Sequence, residues 1–108
     1  MAVTEQTISL FKNQLSSFEP FDVKKMFGGI GLYKEKLMFA MIADEKLRLK
    51  VDDQNQSEFE EAGMKPYFSN KKGKSMPYWE VPQIIIDQPE ELCRWAQKSF
   101  EAAIRSKK

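Results

Sequence analysis

The sequence predicts an α+β domain of two layers, an antiparallel sheet of hairpin-connected strands with flanking helices. Three observations carry that reading. Residues fit for one buried face recur at helical spacing near both ends, in Ile8, Phe11, Leu15 and Phe18 and again in Leu92, Trp95, Ala96, Ser99, Phe100 and Ala103. Between Val23 and Val51 the pattern changes to short runs suited to strands. Gly28-Gly29, Lys34-Glu35-Lys36 and Asp44-Glu45 separate those runs, and connections that short make hairpins.

The first helix is expected from Thr4 to Phe18, stopped by Glu19-Pro20 because the residue before a proline is pushed out of the helical region. Strands follow at Val23 to Phe27, Ile30 to Tyr33, Leu37 to Ile42 and Lys46 to Val51, forming a meander. Asp52 or Asp53 suits the start of a short second helix, with a thin apolar face of Phe59 and Ala62 and a stop at Gly63. Strands at Pro66 to Ser69 and Ser75 to Val81 flank the Lys71-Lys72-Gly73-Lys74 turn. Asp87-Gln88-Pro89-Glu90 has the form of a capping box and opens the last helix, whose basic end, Arg105 to Lys108, suits the helix dipole. The predicted order is α-β-β-β(β)-α-β-β-α, a single domain over residues 1–108.

A chain of 108 residues with 42% hydrophobic content can bury about two-thirds of its surface, enough for one core. Lys plus Arg number 17 against 16 Asp plus Glu, a balance unlike that of a protein whose whole body coats nucleic acid. The single cysteine rules out an intramolecular disulfide, and the lack of histidine removes the commonest metal ligand and general base. The first ten residues carry no basic start and no apolar run, and the longest apolar stretch, Leu37 to Ala43, is far short of a bilayer span. A cytoplasmic protein without a membrane partner is the expectation.

Constellations that imitate catalytic motifs fail on context. Gly28-Gly29-Ile30-Gly31 lacks the third glycine and the following helix of a dinucleotide fingerprint, so it reads as a tight hairpin turn. Gly73-Lys74-Ser75 resembles the end of a phosphate loop, but Phe68 stands where its first glycine belongs and Pro77 blocks the helix. Cys93 has no histidine partner and reads as a structural or incidental thiol that behaves as a small hydrophobe. The pairs Asp52-Asp53, Glu60-Glu61 and Glu90-Glu91 are sequence neighbours that do not face each other on a helix. No catalytic residue, metal site or cofactor is predicted.

Charge is the more informative pattern. Lys46, Arg48 and Lys50 alternate with Leu47, Leu49 and Val51, which places three cations on one face of a strand. Lys71, Lys72 and Lys74 cluster in a turn, while the stretch Asp52 to Glu61 is strongly acidic. A sorted basic strip can meet phosphates or an acidic protein face, and it can equally be a solvated sheet face. Among the aromatics, Tyr67, Phe68, Tyr78 and Trp79 read mainly as core, since alternation puts Tyr78 and Trp79 on opposite faces.

The string Val23-Lys24-Lys25-Met26-Phe27-Gly28-Gly29-Ile30-Gly31-Leu32-Tyr33 resembles the opening of the TfoX N-terminal domain family, the Sxy-type competence regulators. The likeness continues through Phe39-Ala40-Met41-Ile42-Ala43-Asp44, Leu49-Lys50-Val51-Asp52, Phe59-Glu60-Glu61-Ala62-Gly63, Pro66-Tyr67-Phe68, Pro77-Tyr78-Trp79-Glu80-Val81-Pro82 and Trp95-Ala96. It covers roughly residues 10–105. The resemblance implies an α+β domain and a place among regulators of DNA transformation that act as coactivators beside the cyclic-AMP receptor protein. Those regulators carry a second, C-terminal helical domain that this sequence does not include. The resemblance supplies no catalytic residues. Met26, Phe27, Gly28, Gly29 and Gly31 read as structural, apolar strand residues entering a turn that tolerates positive φ.

The expected function is a non-enzymatic regulatory or adaptor domain that binds protein, transcription machinery by the resemblance. Weak DNA contact would come second, through Lys46, Arg48, Lys50, Lys71, Lys72 and Lys74. The alternative is a stand-alone domain that binds a small ligand or forms a homodimer.

Overall fold

The computed structural model describes residues 4–26, 29–43, 45–64, 66–68 and 75–107. Helix α1 (Glu5–Gln14) starts at Thr4, whose hydroxyl accepts the Thr7 N–H at 3.2 Å. The Glu45 carboxylate, from the turn between the third and fourth strands, accepts from the Thr4 N–H at 2.8 Å and from the hydroxyls of Thr4 and Thr7. These bonds, the Thr4 N–H foremost, hold the Glu45 carboxyl below its ordinary value. They tie the helix start to the sheet, although Glu45 sits at φ 64.

The helix stops earlier than its periodicity suggests. It ends at Gln14, and Ser16–Phe18 form a single 3-10 turn. Serines favour such local alternatives to the helix. The tighter turn carries Phe18 to Phe39, edge-on at 5.1 Å.

The strands are β1 (Asp22–Met26), β2 (Gly29–Lys34), β3 (Leu37–Ala43) and β4 (Lys46–Lys50), then β5 (Pro66–Phe68) and β6 (Ser75–Glu80). They form one six-stranded antiparallel sheet in the order β1-β2-β3-β4-β6-β5. The meander holds for the first four strands. Beyond β4, β5 and β6 pair antiparallel as expected, and it is β6 that joins β4, so β4 and β5 run parallel with β6 between them. The chain crosses past the position of β6 to reach β5, and α2 (Gln56–Glu61) lies on that connection. The β2–β3 turn is also one residue tighter than expected. Lys34 pairs with Leu37 across Glu35 and Lys36, both at positive φ.

Neither Asp52 nor Asp53 caps α2. Asn55 takes that position, and Asp52 forms a turn with its carboxylate on the Gln54 N–H at 2.9 Å. The buried Asn55 side chain accepts the Asp52 N–H at 2.8 Å and donates to the Lys50 carbonyl at 3.0 Å. Asn55→Ala orphans both backbone groups, and a loss of about 1–3 kcal/mol is expected in urea unfolding. Gly63, at φ 79, ends this segment as predicted.

A further correction falls at the last helix. Ile84-Ile85-Ile86 belongs to a short helix, α3 (Gln83–Ile86), which Pro82 introduces at φ -60. Asp87 closes α3 and accepts the Gln83 amide at 3.0 Å, so it is not the cap of the last helix. That helix, α4 (Pro89–Lys107), begins on Pro89, a first-turn position where no N–H is missed.

The helices and the 3-10 turn cover one face of the sheet. Phe11, Leu15 and Phe18 meet Leu32, Phe39, Ile42, Leu47 and Leu49 in a core completed by Phe59, Trp79 and the α4 stripe Leu92, Trp95, Ala96 and Phe100. The opposite face carries its own small cluster of Met41, Ala43 and Tyr78, with Met38 packed against it.

Candidate interaction surface

The alternation on β4 places its residues as the sequence requires. Leu47 and Leu49 are fully buried against the helices, and Lys46, Arg48 and Lys50 project to the other face. Register then gives each cation a different setting. Lys46 pairs with Ala43 on β3, is exposed, and reaches Glu80 at 3.3 Å. Arg48 lies between Met41 and Glu80 and is only 8% exposed. Lys50 stands beside Tyr78, its ammonium 5.2 Å from the ring centre. The strip is therefore two reachable ammoniums around a buried guanidinium.

Tyr78 lies at the centre of this face. Burial first, then neighbouring Tyr33, pushes its phenol up to about 12, so it stays neutral at physiological pH. Trp79 turns to the helical side and packs on Phe59. Both are buried, and neither offers a ring for a base to stack on. Toward β1, Lys24 is exposed and lies 5.3 Å over the Tyr33 ring. The sequence reading passed over this pair, although register across a short hairpin could have placed Lys24 and Tyr33 on neighbouring strands.

Lys71, Lys72 and Lys74 lie outside the described residues, as do Phe27 and Gly28. Of the remaining family-motif residues, Met26 ends β1, and Gly31 is buried in β2 opposite Lys24 and Met41. Gly29 adopts no positive φ. Its need for glycine is steric, because a Cβ there would run into the Ile42 carbonyl oxygen on β3.

The acidic stretch is partly engaged by the last helix. Glu58 is held by Arg94 at 2.8 Å and Lys98 at 3.1 Å, Arg94 also binds Glu91, and Arg105 grips Asp52 at 2.7 Å. The α4 cations thus pair with Asp52 and Glu58 from long sequence range, while Asp53, Glu60 and Glu61 stay exposed. The Arg105 bond chiefly lowers the Asp52 carboxyl. At Glu58 burial pushes upward, but the bonds from Arg94 and Lys98 win and the net shift is down. Carboxyls depressed in the folded state stabilise it above their unfolded pKa, and that contribution is lost as pH falls through the folded value. The urea midpoint should fall between about pH 5 and pH 3, and Arg105→Gln should flatten part of that slope.

Cys93 is half-buried with its thiol pushed up by burial, the opposite of an activated nucleophile. Among the described residues no group of three or more acidic or cysteine side chains gathers to hold a metal ion, and no helix is long and apolar enough to cross a membrane.

Comparison with known proteins agrees with this architecture. The profile of the TfoX N-terminal domain matches residues 13–103. The DNA transformation protein TfoX1 of Aliivibrio fischeri is 28% identical over 93 residues, which cover 84% of this chain and 44% of that protein. The chain therefore spans less than half the length of that relative. With the profile match running through β1 to β6 and most of α4, the chain belongs to the TfoX N-terminal domain family.

Proposed function

We propose that this domain is a non-enzymatic regulatory adaptor of the cytoplasm that works by binding protein, with DNA contact secondary. The observation that carries the proposal is the grouping of Lys46, Lys50 and Lys24 on the sheet face turned away from the helices, in a domain related to a DNA transformation protein. Exposed ammoniums beside the Met41 and Tyr78 cluster suit an acidic protein surface with some apolar character. Tyr78, neutral at working pH, and a histidine-free sequence supply no ready general base, which favours binding over catalysis.

Two arms test the reading. Anisotropy of a labelled DNA duplex is followed across a salt series, where genuine phosphate contact gives a log affinity falling linearly with log salt. In parallel, the domain is titrated against the cyclic-AMP receptor protein bound to its DNA site. The expected result is weak or absent duplex binding and saturable binding to the protein complex, lost on Lys46→Glu/Lys50→Glu. Saturable binding that survives this double reversal overturns the site. Tight duplex binding alone reverses the order of the two partners.

A further inference from the structure

We infer that the outer edge of β1 is the docking strand for an extended acidic segment of a partner protein, a refinement that rests on the protein-binding reading above. β1 ends the sheet on one side and, among the described residues, pairs with β2 alone. Its outward N–H and C=O groups are therefore available to an added strand. The other edge is a poorer template, since β5 has three residues and opens on Pro66, which has no N–H to donate. β1 offers five residues without a proline.

Charge selects the occupant. Lys24 and Lys25 are both exposed and, as neighbours on a strand, point to opposite faces. A strand paired with β1 presents its own consecutive side chains to those two faces, so two adjacent carboxylates meet two ammoniums. Lys24 is already held over the Tyr33 ring, which limits the freedom it gives up on binding. A second copy of this chain matches unlike charges only in the registers that set Asp22 against Lys24 or Lys25; in antiparallel registers shifted further along the strand its own lysines face Lys24 or Lys25. Edge lysines are a common defence against such self-pairing, and the same charges leave an acidic strand attracted.

A second feature lies at the start of the strand. A notch of about 230 Å³ is lined by Pro20, Phe21, Asp22, Tyr33, Lys34 and Glu35. Phe21, packed on Phe18 and Phe39, gives it an apolar wall for one side chain of the added strand. In an antiparallel arrangement the partner passes Lys25, then Lys24, then reaches the notch. The pattern it must carry is acidic, acidic, any, any, apolar.

The probe is a fluorescein-labelled peptide, Ser-Thr-Glu-Glu-Thr-Thr-Leu-Thr, titrated into the full chain, with a version carrying Lys-Lys in place of Glu-Glu as control. The acidic peptide should bind, weaken with salt, and slow amide hydrogen exchange along residues 22–26. Lys24→Glu/Lys25→Glu should lower its affinity about tenfold, from two rim charges turned from attractive to repulsive. Both side chains are exposed, so circular dichroism should show the variant folded. The assignment is overturned by absence of binding, equal binding of both peptides, an unaffected variant, or protection confined to another element. A protein partner that binds the domain with no regard to Lys24 and Lys25 overturns the β1 edge alone and leaves the adaptor reading standing.

Discussion

Phe59→Ala is expected to cost about 3–5 kcal/mol, the range for removing a fully buried phenylalanine. Phe59 is the one buried residue of α2, and its ring sits edge-on to Trp95 at 4.7 Å and tilted to Trp79 at 6.1 Å. A six-residue helix has no stability of its own, so α2 is held by this anchor and by the ion pairs of Glu58. Those pairs are partly exposed and are worth roughly 1 kcal/mol each. The aromatic anchor should therefore dominate. Urea unfolding of Phe59→Ala and Glu58→Gln side by side decides between them. A loss below about 1 kcal/mol for Phe59→Ala would mean that the salt bridges hold the crossover instead.

Gly29→Ala is the second large effect, and it tests a different mechanism. The added methyl would overlap the carbonyl oxygen of Ile42, a fully buried residue of a central strand. No side-chain rotation relieves that overlap, so β2 and β3 must move apart. Overpacking of this kind costs about 1–3 kcal/mol or more, and the melting midpoint should drop by roughly 10 °C or more. Gly63 provides the contrast. Open space surrounds its would-be Cβ, and only its positive φ opposes a side chain. Gly63→Ala should cost about 1 kcal/mol, the left-handed penalty alone. Equal losses at the two glycines would show that the β2–β3 approach has slack.

Much of the architecture is legible because local periods carry it. The α4 stripe of Leu92, Trp95, Ala96, Ser99, Phe100 and Ala103 is buried as its spacing requires. Hairpin-length connections place β1 to β4 side by side. The reading went astray just before the last helix. Pro82 turns the chain after β6, and Ile84-Ile85-Ile86, to which the sequence reading assigned no element, falls in α3. Asp87 has the surroundings of a capping residue, but its carboxylate accepts from Gln83 instead. On β4 the alternation gives the face of each cation, while the burial of Arg48 depends on neighbours from β3 and β6.

The sequence alone determined the α+β class, the helical and strand stripes, the four-strand meander and the side of β4 on which the cations lie. All of these follow from side-chain direction, which repeats every two or 3.6 residues and needs no knowledge of distant partners. The tertiary structure decided the rest: β6 between β4 and β5, Arg105 on Asp52, Arg94 and Lys98 on Glu58, and the closeness of Gly29 to Ile42. Those are meetings of segments far apart along the chain or of backbones across a sheet. Packing the whole core selects them, and no local period encodes which segments meet.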